Sequence, residues 1–377
     1  MRITIVLGAF FPVPPIVGGA VEKVWFALAQ EFVRQGHEVT QISRTYPGLP
    51  AHEEIGGVRH LRVPGYAQPR SIIWLKWLDL LYSLRVRHIL PPGDILVTNT
   101  FWLPILVRRH NRGRLYVHVQ RGPKGQMRWY SHVARLCAVS RAIADEIIAQ
   151  APELRAKVRV IPNALPFRVD EASSVARERT VLFVGRVHPE KGIELFLRAL
   201  PLLPRTVLSD WKVKIVGPHE VELGGGGESF LRRMQRLAAA SGAQVEWLGP
   251  VFDSSALAAQ YRSSLVFIYP SVAEKGEALP VAPLEAMAEG CAAFVSNLAC
   301  FRDYIADGVN GFVFDHRAAA PEKALAERLA EVLQLGPAML EKIGQAARAE
   351  AAEFEVANVA RRYIEDFTSL CQLAPNE

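Results

Sequence analysis

Twice along this chain the apolar residues switch between two periods, and that repeat constrains the fold more than any other feature. In the first instance RITIVLG is a short β-branched run ending in glycine, the pattern of a buried strand. AVEKVWFALAQEFVRQ then places Val21, Val24, Trp25, Leu28 and Phe32 at i, i+3, i+4 and i+7 steps, one buried face of a helix. Gly36 ends it as a C-cap glycine does, and EVTQIS is the next strand. Strand, helix and strand within about 43 residues make a βαβ unit. DILVTNT and RLYVHVQ read as further strands, and VSRAIADEIIAQ as a helix with Ser140 at its N-cap.

The polar stretch RVDEASSVARER interrupts the pattern, which places a domain boundary between residues 163 and 178. The alternation then restarts: TVLFVGRV, WKVKIVG, VEWLG, LVFIYPS and CAAFVSN as strands, with PEKGIELFLRALPLL, SFLRRMQRLAAASG and DSSALAAQYRS as helices between them. Asp253 stands at the start of the last of these, and the four glycines 224–227 read as a flexible loop. The last 40 or so residues are mostly helix-forming. Two alternating halves indicate two doubly wound α/β domains, whose ligands bind beyond the C-terminal strand ends. A length of 377 residues and 50% hydrophobic composition agree with two domains.

Composition narrows the rest. Cys137, Cys291, Cys300 and Cys371 form no CxxC pair and have no metal-ligand spacing, so they read as buried free thiols in a reducing compartment. The apolar start is too short for a leader peptide, and there is no run of about 20 apolar residues to span a membrane, so the expected location is cytoplasmic. A net charge of +6 suits anionic partners without choosing among them.

The chemistry concentrates in GEALPVAPLEAMAEG, residues 276–290. Proline is tolerated at the first position of a helix, so Pro283 is expected to open a short helix closed by Gly290, with Glu285 in its first turn. Glu277 lies in the preceding loop. The backbone N–H groups of residues 281–285 would then face a ligand beside both carboxylates. That order suits a nucleotide-sugar, with hydroxyls at both ends and phosphates between. The plainer alternative makes Glu285 a helix-end charge and Glu277 a solvated loop charge. Arg186, just past a strand, and Lys191, at the next helix start, are two cations able to neutralise a diphosphate.

VGRVHPEKG followed about 90 residues later by EALPVAPLEAMAEG resembles the retaining glycosyltransferases of GT-B fold, family 4. GGAVEKVWFALAQEFVRQGHEVT resembles their glycine loop and first helix, and LGPVFDSSALAAQYRSSLVFIYPS and FRDYIADGVNGFVFD their later segments. The resemblance implies two facing Rossmann-like domains with a cleft between them: an acceptor domain 1–170, a nucleotide-sugar domain 171–355, and a C-terminal helix 356–377 crossing back to the first domain. It implies that Glu277 meets the donor sugar and Glu285 the ribose. Arg186 and Lys191 hold the diphosphate, and His118 lies beside the reacting sugar. Gly18, Gly19, Leu279 and Val281 border the donor. Where the family often has Phe-Gly after the first glutamate, this chain has Leu279-Pro280, and Pro280 has no N–H to donate.

The implied reaction moves a hexosyl group from a nucleoside diphosphate sugar to an acceptor hydroxyl with retention. The acceptor would be a glycan, a lipid-linked sugar or a small molecule. No metal and no cofactor are expected, because cations and amides take that role and no DxD pair is suited to it. A nucleotide-sugar epimerase of the same fold and a non-catalytic binding protein are the alternatives. Nucleic acid is not expected, since no aromatic-basic motif for bases is present. The segment 69–92, with Trp74, Trp77, Lys76, Arg85 and Arg87, suits either a peripheral contact with the inner membrane face or a helix packed on its own domain.

Overall fold

The computed structural model describes residues 1–69, 71–108, 112–165, 167, 169 and 176–372. Half of the segment 163–178, expected to hold the domain boundary, therefore lies outside the described residues. The chain divides into two compact units, Met1–Phe167 together with Phe354–Glu377, and Arg168–Glu353.

The first unit carries β1 (Arg2–Val6), α1 (Ala20–Arg34), β2 (Glu38–Arg44), β3 (His52–Ile55), β4 (Val58–Val63), α2 (Ile72–Ile89), β5 (Ile95–Thr98), α3 (Leu103–Leu106), β6 (Arg114–Val119), β7 (Arg135–Ala138), α4 (Arg141–Gln150) and β8 (Val158–Val160). Its sheet runs in the order β3-β4-β2-β1-β5-β6-β7-β8, parallel except for the β3–β4 hairpin. That hairpin is absent from the sequence reading, because HEEI is a polar edge strand with no apolar alternation to mark it. Winding proceeds leftward from β1 through α1 and rightward from β4 through α2. Right-handed crossovers therefore put α1 on one face and α2, α3 and α4 on the other. The order reverses between β1 and β5, so a ligand crevice is expected beyond those strand ends.

The second unit carries β9 (Glu178–Val184), α5 (Ile193–Ala199), α6 (Arg205–Leu208), β10 (Lys212–Val216), α7 (Glu228–Ala240), β11 (Gln244–Gly249), α8 (Ser254–Ser263), β12 (Ser264–Tyr269), α9 (Val281–Ala288), β13 (Ala292–Ser296), β14 (Gly311–Phe314), α10 (Pro321–Gln334) and α11 (Pro337–Ala352). The sheet order is β11-β10-β9-β12-β13-β14, all parallel, and it reverses between β9 and β12. Asp253 caps α8 by accepting from the Ala256 N–H at 2.7 Å, as Ser140 caps α4.

The final helix, α12 (Val356–Gln372), is part of the first unit. It buries Val359, Tyr363, Phe367 and Leu370 along one stripe, and Tyr363 and Phe367 make ring contacts with Phe32 of α1. Each such side chain contributes about 1.5–3 kcal/mol by leaving water. Asp366 fixes the register, accepting from the Tyr116 hydroxyl at 2.9 Å and from Arg135 Nε at 3.0 Å. Cys137, Cys291 and Cys300 are buried free thiols, whereas Cys371 is exposed, because it sits on the solvent side of this helix near its end.

Candidate functional site

In the second unit the predicted residues sit at the crevice where strand order reverses. Arg186 and Lys191 follow β9, and Glu277 and Glu285 follow β12. Gly192 (φ 70°) lets the two loops touch, since an added Cβ would fall onto the Pro270 carbonyl oxygen. The Val272 N–H then donates to the Glu190 carbonyl at 3.0 Å, and the Ser271 hydroxyl oxygen lies at the same distance from it. This stitching brings Lys191 against Glu277 across 86 residues of sequence.

Glu277 is not a solvated loop charge: its side chain is 6% exposed and that of Lys191 11%. One carboxylate oxygen, Oε1, accepts from Lys191 Nζ, from the Tyr269 hydroxyl at 3.0 Å and from the Ser271 hydroxyl at 2.9 Å. Burial, and then the Glu277 charge, push the Tyr269 phenol well above its ordinary range, so it stays protonated and donates. The geometry holds one carboxylate in a fixed pose, as recognition of a sugar hydroxyl requires.

Arg186 is held equally firmly. Its Nη1 donates to the Gly224 carbonyl at 2.7 Å and its Nη2 to Glu190 Oε1 at 2.6 Å. The glycines 224–227 are an ordered cradle rather than a flexible loop. The N–H groups of Gly225, Gly226 and Gly227 donate to Glu220, Val187 and His219 carbonyls at 2.7–2.8 Å, so the loop's backbone is fastened on both sides.

The helix at the second carboxylate begins earlier than expected. It starts at Val281 with Pro280 as its N-cap, and Pro283 is the third residue. First-turn N–H groups have no intrahelical acceptor, so a proline there forfeits no hydrogen bond. Glu285 consequently lies in the second turn, and only Val281 and Ala282 offer free helix N–H groups, where residues 281–285 had been expected to. Gly290 ends the helix in the left-handed region (φ 80°). Glu285 Oε2 accepts from the buried Tyr261 hydroxyl at 3.1 Å. Leu279 is buried beneath the loop, and Val281 stands half-buried at the helix start.

Tyr269, Ser271, Tyr261 and Glu190 escaped the sequence reading as site residues. A signal existed for two of them: Tyr269 and Ser271 are the hydroxyl residues that end the apolar run LVFIYPS, where a doubly wound sheet meets its ligand.

In the first unit, Gly18 and Gly19 (φ 85° and 97°) turn the chain into α1. His118 is on β6, buried against Trp25 and Tyr363, and burial lowers its pKa to about 3. The imidazole is therefore neutral. Its Nδ1 accepts from Trp25 Nε1 at 3.1 Å, which leaves the proton on Nε2, and Nε2 has no partner among the described residues.

The family model for "Glycosyl transferases group 1" matches residues 169–350, and that for "Glycosyltransferase Family 4" matches residues 17–167. An uncharacterized glycosyltransferase of Methanocaldococcus jannaschii is 26% identical over 342 residues, 79% of this chain and 82% of that protein. The lipopolysaccharide 1,2-N-acetylglucosaminetransferase of Salmonella typhimurium is 24% identical over 335 residues, 82% of this chain and 84% of that enzyme. Among solved structures, Anabaena HepE in complex with UDP and glucose superposes with a TM-score of 0.71 at 17% identity, covering 98% of this chain and 100% of that one.

Proposed function

Because the chain belongs to the family-4 glycosyltransferases of GT-B fold, we propose that it transfers a hexosyl group from a nucleoside diphosphate sugar to an acceptor hydroxyl with retention at the anomeric carbon. The observation that carries this reading is the Lys191–Glu277–Tyr269–Ser271 constellation beside Arg186 at the reversal of strand order. The HepE structure holds UDP and glucose, which supports a uridine-linked donor as the first to test.

On this reading Glu277 accepts from donor sugar hydroxyls and Glu285 from the ribose. Arg186, Lys191 and the Val281 and Ala282 N–H groups face the diphosphate. As the bond from the anomeric carbon to the diphosphate oxygen breaks, negative charge grows on that oxygen, and fixed cations stabilise it without reorganising. The acceptor hydroxyl attacks from the same face, and its proton passes to the departing diphosphate. His118 presents its unpartnered Nε2–H as a hydrogen-bond donor to the sugar. No metal takes part. The acceptor is a glycan or a lipid-linked sugar, and the enzyme works as a peripheral protein on a membrane face, in keeping with the lipopolysaccharide substrate of the Salmonella relative.

Incubating the protein with a panel of nucleotide-sugars, with and without EDTA, tests the reading. The expected result is hydrolysis of one donor to free sugar and nucleoside diphosphate, unaffected by chelator. Complete loss with EDTA, restored by magnesium or manganese, would refute metal independence, and release of an epimerised sugar would favour the epimerase reading. Arg186→Ala and Lys191→Ala each lower turnover by about a hundredfold, the scale of losing one charged transition-state partner.

A further inference from the structure

Helix α2 is turned inside out. The side chains it buries are polar for the most part, Asp79, Tyr82 and Ser83 with Val86. In its first half those it leaves in water are apolar: Ile73 is 77% exposed, Trp74 60% and Trp77 54%, with Ile72 beside them, while Arg85, Arg87 and His88 are exposed nearer its end. Asp79 accounts for the inversion, because its carboxylate accepts the backbone N–H groups of Phe101 and Trp102, both at 3.1 Å, and so ties the helix down through a polar anchor. Neighbouring large apolar side chains left exposed in this way mark a surface that meets something else.

Next to this stripe lies a cavity of about 590 Å³, lined by Trp102, Trp129, Arg108, Arg128 and His132 among others. The Trp102 indole donates to the Lys76 carbonyl at 2.8 Å, and Lys76 Nζ lies 4.5 Å from the Phe101 ring centre, so the cavity and the helix share a wall. The sequence around it is basic. Residues 70–144 hold thirteen Lys and Arg against two Asp, a net +11, whereas the whole chain carries only +6. One of those two aspartates is the buried Asp79. None of the described helices is long and apolar enough to cross a membrane.

We infer that this face docks on an anionic phospholipid surface, with Trp74, Trp77 and Ile73 entering the interface and the Arg108–Arg128–His132 cavity receiving a lipid phosphate. Indole rings settle at the boundary of headgroups and acyl chains, and basic side chains around them are drawn to anionic lipid within a Debye length. The combination of tryptophan stripe, basic cavity and absence of exposed acid on α2 fits a bilayer better than an acidic protein. The inference adds a defined surface and lipid class to the peripheral location proposed above, and it does not depend on the donor chemistry.

Flotation of the full chain with phosphatidylcholine vesicles, with and without phosphatidylglycerol, tests it. The protein is expected to float with the anionic vesicles and not with the neutral ones. Trp74→Ser/Trp77→Ser should lower binding by at least about tenfold, and Arg108→Gln/Arg128→Gln should remove the preference for phosphatidylglycerol. Both variants change exposed side chains and should keep donor hydrolysis, which reports that they are folded. A wild-type protein that ignores anionic vesicles, or a serine variant that floats as well as wild type, would overturn the inference. So would a wild-type dimer, monomeric in the serine variant, that binds no vesicle, which would mark the stripe as an interface between copies. Vesicle binding without hydrolysis of any donor would sink the transferase reading alone.

Discussion

Replacing Glu277 by glutamine changes one charge and almost no volume, which makes it the most informative perturbation of this site. The amide oxygen can still accept from Tyr269 and Ser271, so the loss falls on Lys191, whose ammonium would face a neutral group while only 11% exposed. Breaking a buried pair by removing one partner costs about 3–5 kcal/mol, chiefly because the other charge is left uncompensated. Lys191→Met should cost about 3 kcal/mol for the mirror reason, leaving a carboxylate held by two hydroxyls. The double variant removes both charges from a largely dry site. It should therefore be destabilised far less than the sum, with a coupling of about 2–3 kcal/mol. Hydrogen exchange resolved on peptides of β9 and β12 during urea unfolding would report this unit separately from the other. Additive losses, with a coupling under about 0.5 kcal/mol, would show that the pair is not one buried unit and would refute the reasoning. Each single variant should also lose turnover, since the fixed carboxylate and the cation at the diphosphate go together.

Glu285→Ala should weaken binding of the free nucleoside diphosphate, because the ribose contact needs no sugar; unchanged affinity by calorimetry in a folded variant would remove Glu285 from the nucleotide site. Gly224→Ala places a methyl 2.8 Å from Arg186 Nη1 at a φ of 80°, so it should displace the guanidinium and lower kcat about tenfold with little change in KM. A kcat equal to wild type would mean that the glycine cradle does not position Arg186. Burial raises the Glu22 pKa from 4.5 to about 7, so the native state binds the proton more tightly than the unfolded chain. Stability is then highest below pH 4.5 on this account and falls by up to about 3 kcal/mol as pH rises through 7. Glu22→Gln should flatten that fall, read as the difference in urea midpoint between pH 5 and pH 8; an unchanged slope would assign the pH dependence elsewhere.

Much of this protein was legible in its residues. Period switching alone specifies two doubly wound α/β units, because a chain that alternates buried runs with amphipathic helices can hide its apolar faces only by layering helices on a parallel sheet. The GEALPVAPLEAMAEG and VGRVHPEKG motifs located four site residues for the same reason: ligands gather at strand ends, and polar residues placed just after apolar runs mark those ends. What the sequence alone did not determine is what each of these residues holds. The pairing of Lys191 with Glu277 joins the loops after β9 and β12, and the clamp of Gly224 on Arg186 joins the loops after β9 and β10; only the strand order that sets β9 between β10 and β12 brings those loops together. The hydroxyls of Tyr269 and Ser271 on Glu277, and Glu190 on Arg186, are local contacts, but their convergence on one oxygen and one guanidinium is a matter of loop conformation that spacing does not reveal. The start of α9 was also misplaced, because proline at the third helical position looks in sequence like proline at the first, and the missing donor costs nothing at either place. The inversion of α2 was decided by tertiary structure as well. Its composition allowed either face to be buried, and the backbone N–H groups of Phe101 and Trp102, far along the chain, drew Asp79 inward and turned the tryptophans out.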